Sequence, residues 1–176
     1  MVDFRLAVER SVNELTSLSL EKWVNESEFL VQTDVVEYVS PKGRGTKPKK
    51  RGVRPDGYFV VLNHNRLRQG LAARARFLVE IDMSSHDIGS FMEEKVAAGA
   101  AYIESEAFRE RFGDNSGRWL VITIGELRLK HLLRQTNRAG GGGMFYFCTF
   151  DQLVKSNVLT SPIWHLELRA EPITLL

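Results

Sequence analysis

Three carboxylates are placed where they could do chemistry. Asp56 precedes the apolar run Tyr58–Leu62 in "RPDGYFVVL", and Glu80 and Asp82 close "RFLVEID". Side chains alternate along a strand, so Glu80 and Asp82 share one face. If the two apolar runs pair as a hairpin, the start of the first lies beside the end of the second, and all three acids converge. Carboxylates so crowded repel unless a cation or a proton relieves them. Mg2+ or Mn2+ suits such an oxygen-only site, with Asp56, Glu80 and Asp82 as ligands. The plainer reading is that Pro55-Asp56-Gly57 has the composition of a tight turn and that Glu80 and Asp82 are solvated strand-end acids. Spacing alone leaves both open. Glu9 is a further candidate ligand, or else part of a solvated helix face.

The elements that would position these acids follow from periodicity. Phe4, Ala7, Val8, Val12 and Leu15 fall at helical spacing and predict a first helix over 3–15. "EKWVNESEFL" fits helix or strand, and "TDVVEYVS" (33–40) predicts a strand. The Gly-, Pro- and Lys-rich segment 41–54 reads as a mobile basic loop. Strands are expected at 57–63 and 76–83, the second with an unbroken Phe77-Leu78-Val79 that implies burial on both faces. A helical pattern runs from 84 to 111, capped by Ser84 or Ser85. "RWLVITI" (118–124) predicts an interior strand, and Thr123 and Glu126 have capping-box spacing for the helix that follows. Gly140–Gly143 read as a flexible hinge, and "MFYFCTF" and "PIWHLEL" (162–168) as final strands. The expected fold is α/β, a mixed central sheet with helices on both faces, in a single domain over 1–176.

Charge is the other informative feature. The chain carries a net +2, yet Lys42 to Arg76 holds eleven Lys and Arg against one acid, a local +10 in an otherwise acidic protein. Nucleic-acid phosphate is the commonest counter-charge for such a segment, because its neutralisation releases condensed counterions; the alternative is a charged, solvated loop. Arg128, His131, Arg134 and Arg138 can share one side of a helix whose other side carries Leu129, Leu132 and Leu133. That side could form a second phosphate-contacting surface, or simply be the solvated side of an amphipathic helix. No apolar run is long enough for a membrane helix, the first ten residues do not read as a signal peptide, and one cysteine, Cys148, forms no internal disulfide. The expected compartment is the cytoplasm. The four histidines (64, 86, 131, 165) lack zinc spacing. Cys148, Trp119 and Trp164 read as core, whereas Trp23 could be exposed.

The ordered set "RPDGYF", "FLVEID", a helix with Lys95 and Tyr102, "WLVITI", an Arg-rich helix, "FYFCTF" and "PIW" resembles the replication-relaxation family of plasmids and other mobile elements. The first two motifs are also similar to the core of the PD-(D/E)XK nuclease fold, in which Pro-Asp precedes one strand and Glu-x-Lys ends the next. The resemblance implies a DNA-associated protein of mobile-element replication or mobilisation. Its DNA contacts would come from Lys47, Lys49, Lys50, Arg51, Arg54, Arg128, Arg134 and Arg138. Such proteins usually carry a winged-helix segment ahead of this domain, and the sequence shows none. Asp82 stands where the nuclease lysine is expected. Lys95 is either a surface lysine following Glu93 and Glu94 or one that reaches the site from the helix instead, which would make Asp56, Glu80 and Lys95 the catalytic set of a Mg2+- or Mn2+-dependent endonuclease. A third reading is a catalytically silent nuclease-like module that binds a protein partner or forms a homodimer.

Overall fold

The strand that follows Pro55-Asp56 and the strand that ends in Glu80 and Asp82 do lie side by side, antiparallel. They belong to a computed structural model that describes residues 1–39, 47–83, 92–167 and 169–176. In chain order the elements are α1 (Val2–Asn13), β1 (Leu18–Asn25), α2 (Glu26–Val31), β2 (Asp34–Tyr38), β3 (Lys49–Val53), β4 (Gly57–Asn63), α3 (His64–Arg68) and β5 (Arg74–Asp82). A π-helical turn (Met92–Ala97), α4 (Ala98–Glu104), α5 (Glu106–Phe112), β6 (Gly117–Thr123), α6 (Glu126–Arg138), β7 (Phe145–Thr149) and α7 (Phe150–Lys155) complete them.

One sheet has the strand order β1-β4-β5-β6-β7. Its first three strands form an antiparallel meander with a bulge in β1 between Leu20 and Lys22, and β6 and β7 run parallel to β5. β5 is central, and Phe77, Leu78 and Val79 are all buried, as their unbroken run implies. Period-two alternation divides the core. Tyr58, Val60, Leu78 and Val121 face the π-turn, α4, α5 and α6, meeting Val96, Tyr102, Phe108 and Leu132. Phe59, Val61, Phe77 and Val79 face the opposite way, toward Phe4 and Val8 of α1 and Leu153 of α7. Each such side chain contributes about 1.5–3 kcal/mol by leaving water. The architecture is α/β, with a mixed central sheet and helices on both faces. Among the described residues no helix is long and apolar enough to cross a membrane.

Several expectations need correction. "EKWVNESEFL" is both strand and helix: β1 ends at Asn25, whose backbone N–H donates to Glu28 Oε1 at the start of α2. The C-terminal part of the expected basic loop, Lys49–Val53, is β3, paired with β2 in a separate two-stranded sheet; residues 41–46 lie outside the described residues. The expected helix 84–111 is interrupted. Its proposed caps Ser84 and Ser85 lie outside the described residues, and Ser105 breaks it by accepting from Phe108 N–H to start α5.

The Thr123–Glu126 capping box does not form. Gly125 is the N-cap of α6, and the Thr123 hydroxyl is used elsewhere. A capping box is present at Thr149–Gln152, opening α7. Gly140–Gly143 are a packed turn rather than a hinge. Gly140 and Gly143 adopt left-handed φ of 83° and 77°, and a Cβ on Gly141 would come within 2.5 Å of Val96 Cγ1 and 2.8 Å of Thr136 Cγ2. "PIWHLEL" makes two isolated bridges, Phe147 with His165 and Trp164 with Ile173, instead of a strand.

Candidate functional site

The pairing of Gly57 with Val79 places Asp56 opposite Glu80. Asp56 does not act as the tight-turn residue that its neighbours suggested. Its backbone N–H donates to Val79 O (2.9 Å), and its Oδ2 accepts from Ile81 N–H (2.6 Å). The side chain thus takes the place of a ladder carbonyl and is held at the end of β5. The second carboxylate oxygen, Oδ1, is not needed for that bond.

Glu80 and Asp82 share the α6 side of the sheet but have different partners. Lys95, carried on the π-turn, brings its Nζ to 2.9 Å from Glu80 Oε1 and 3.1 Å from Oε2. The π-turn leads directly into α4, and π-turns are frequent at functional sites. Glu80 is buried, and that burial pushes its carboxyl up to about 7. Lys95 opposes the rise, while the nearby charges of Asp56 and Asp82 add to it. Asp82 is held by Arg128, with Nε at 2.9 Å from Oδ2 and Nη2 at 3.1 Å from Oδ1, and its Oδ2 also accepts from the Thr123 hydroxyl at 2.9 Å. The expected triad of ligands is therefore divided. Asp56 and Glu80 are neighbours, and Asp82 is bound into a fork with a cation.

Among the described residues no group of three or more His, Cys, Asp or Glu side chains is arranged to hold a metal ion. The chemistry of the remaining pair still suits Mg2+ or Mn2+. Such ions take one or two carboxylates and fill the rest of their octahedron with water and phosphate oxygens. Among the described residues, Asp56 Oδ1 and the Glu80 carboxylate are the donors at this place. Glu9 is not among them: it pairs with Arg5 at 2.8 Å on α1, which packs on the other face of the sheet.

The basic residues fall into two groups. Arg51 and Arg54 line an open cleft of about 330 Å³ together with Glu80, Lys95 and Trp119. Lys47, Lys49 and Lys50 continue outward, exposed, along and before β3, with Lys50 3.2 Å from Glu37. Arg134 and Arg138 are exposed on α6, whereas Arg128, expected to contact phosphate, is turned inward to Asp82. The β2–β3 hairpin is fastened at its base. Asp34 accepts from the Tyr102 hydroxyl (2.5 Å) and from Arg111 Nε (2.7 Å), and Arg54 Nε donates to Thr33 Oγ1 (3.0 Å).

Lys95, Gly99 and Tyr102, spaced i, i+4 and i+7 on the helical segment, have distinct tasks. Lys95 meets Glu80, Gly99 O accepts from Trp119 Nε1 (3.0 Å), and Tyr102 anchors the hairpin. Sequence reading missed the Asp34–Arg111 anchor and the Asp82–Arg128 fork, both of which join residues far apart in the chain. Cys148 is buried, and burial raises its thiol well above the usual range, in keeping with a core role. Comparison of the chain with protein-family models, with curated proteins and with solved structures finds no match.

Proposed function

We propose that this is a DNA-associated protein that holds the phosphodiester backbone in the cleft between β3 and the end of β5. The observation that carries this reading is the presence of Arg51 and Arg54 in the same cleft as Lys95, with Lys47, Lys49 and Lys50 extending the positive surface. Guanidinium groups match phosphate bidentately, and the lysines add charge without demanding geometry. A role in replication or mobilisation of a mobile element rests on the sequence resemblance to the replication-relaxation family. Non-specific duplex binding should weaken steeply with salt, at about 0.9 decades per decade of salt for each phosphate neutralised. Replacing Lys47, Lys49, Lys50 and Arg51 together by glutamine should flatten that slope by about 2–4. Unchanged affinity and slope in this variant, measured by fluorescence anisotropy at several salt concentrations, would show that β3 is only a solubilising surface.

A second reading, Mg2+-dependent endonuclease, is favoured by one specific contact, that of Lys95 with Glu80, opposite Asp56. Asp56 and Glu80 would hold the ion, which would supply Lewis-acid activation of the phosphate and its attacking water. Lys95 would bind the phosphate oxygen on which charge develops. Mn2+ should raise the melting temperature, by an amount equivalent to about 1.4 kcal/mol at ten times Kd. Asp56→Asn and Glu80→Gln should each remove that rise. Asp56→Asn keeps an oxygen for Ile81 N–H, so the fold should survive it. Lys95→Met should keep the metal shift and lose nicking of supercoiled plasmid. If millimolar Mn2+ produces no shift in the unaltered protein, Asp56 and Glu80 are structural.

A further inference from the structure

We propose that two copies of this chain associate through α1, packed antiparallel about a two-fold axis over the groove between α1 and α7. This groove, of about 300 Å³, lies on the face of the sheet opposite Glu80. Its walls are apolar: Leu6 and Ala7 from α1, Leu153 and Val154 from α7. Leu6 is 56% exposed and Val154 76%, an unusual degree for large aliphatic side chains lining one groove, and Val2, one turn before Leu6 on α1, is 72% exposed.

The occupant follows from the order of charges along α1. Asp3, Leu6, Ala7 and Arg10 are spaced i, i+3, i+4 and i+7, so they form one stripe, and all four line the groove. The stripe is self-complementary. In an antiparallel pair centred between Leu6 and Ala7, Asp3 of each copy meets Arg10 of the other, and the two Leu6 side chains enter facing grooves. A two-fold interface requires this kind of self-matching patch. Among the described residues neither Asp3 nor Arg10 forms an ion pair within the chain, whereas Arg5 and Glu9, on the neighbouring face of α1, pair with each other at 2.8 Å. An unrelated acidic or basic partner would satisfy only one end of this stripe. A second copy satisfies both. The association leaves the Arg51–Lys95 cleft of each copy uncovered on the far side of its sheet.

The test is the mass of the full chain by sedimentation equilibrium. At about 100 µM the expected mass is twice the 20.0 kDa of one chain. Asp3→Lys places like charges at both ends of the pair, and so does Arg10→Glu; each alone should weaken the dimer at least about tenfold. Mixed in equal amounts, the two variants should form a heterodimer, because Lys at position 3 then meets Glu at position 10 while the native Asp3–Arg10 contact is kept at the other end. Leu6→Glu should give a monomer that no mixing restores, and far-ultraviolet circular dichroism should show each variant folded. A single-chain mass at about 100 µM, a dimer that survives Leu6→Glu, or a mixture that stays monomeric would each overturn the proposal.

Discussion

Replacing Arg128 by methionine should lower the unfolding free energy by on the order of 3–5 kcal/mol. The side chains of Asp82 and Arg128 are only 3% and 14% exposed, and the carboxylate receives both forks of the guanidinium. Methionine fills the space of the arginine stem but withdraws both guanidinium donors from the buried Asp82 carboxylate, which keeps its bond from the Thr123 hydroxyl. The loss is the penalty of a buried carboxylate stripped of its arginine, which exceeds the net value of the pair itself. The double variant Asp82→Asn/Arg128→Met should therefore recover much of the single variant's deficit, since it removes both charges. Urea denaturation of the two single variants, the double variant and the unaltered chain gives the coupling. A deficit for Arg128→Met of under about 0.5 kcal/mol, the range of ordinary surface substitutions, would mean that the fork is open to water in solution.

Stability should also fall as pH rises from about 4.5 to about 7, and Glu80 should be the cause. Burial, with the charges of Asp56 and Asp82, raises its folded-state pKa to about 7 from the ordinary 4.5. Within that window the folded chain keeps a proton that the unfolded chain has released. The stabilisation is therefore complete below pH 4.5 and is lost as pH passes through 7. The full span is on the order of 3 kcal/mol at 1.36 kcal/mol per unit. Glu80→Gln mimics the protonated acid, so its unfolding free energy should lack this descent and should exceed that of the unaltered protein at pH 8. Parallel slopes for the two proteins between pH 5 and 7.5 would show that Glu80 titrates normally.

The sequence was most informative where one physical rule acts alone. The hairpin of β4 and β5 is legible from two β-rich runs, and the burial of β5 on both faces from Phe77-Leu78-Val79. Opposition of Asp56 and Glu80 follows from that hairpin and its register. Competition between partners is harder to read. Asp82 has the same spacing from Glu80 in any strand, but nothing local says that an arginine from α6 will claim it. Thr123 shows the same difficulty: its hydroxyl had a local use as a cap and a distant one at Asp82, and the buried charge won. Conversely, Thr149–Gln152 carried the capping-box signature in plain view. Lys49–Val53 misled because its composition is that of a loop, whereas β2 supplies a partner that composition cannot report.

The two borders of the sheet suggest how this chain avoids aggregating. An outer strand is a template on which another chain can pair, and growth without limit follows when it is long, flat and uncovered. At one border β1 is bent by its bulge between Leu20 and Lys22, and it turns charged Glu21 and Lys22 toward water. At the other border His165 exchanges backbone hydrogen bonds in both directions with Phe147 of β7. The C-terminal segment, which fails to become a strand, thereby acts as a stopper on the last one. A shortened chain ending before His165 would expose the Phe-Tyr-Phe run of β7 along its open side, and its tendency would be toward fibres rather than a closed pair.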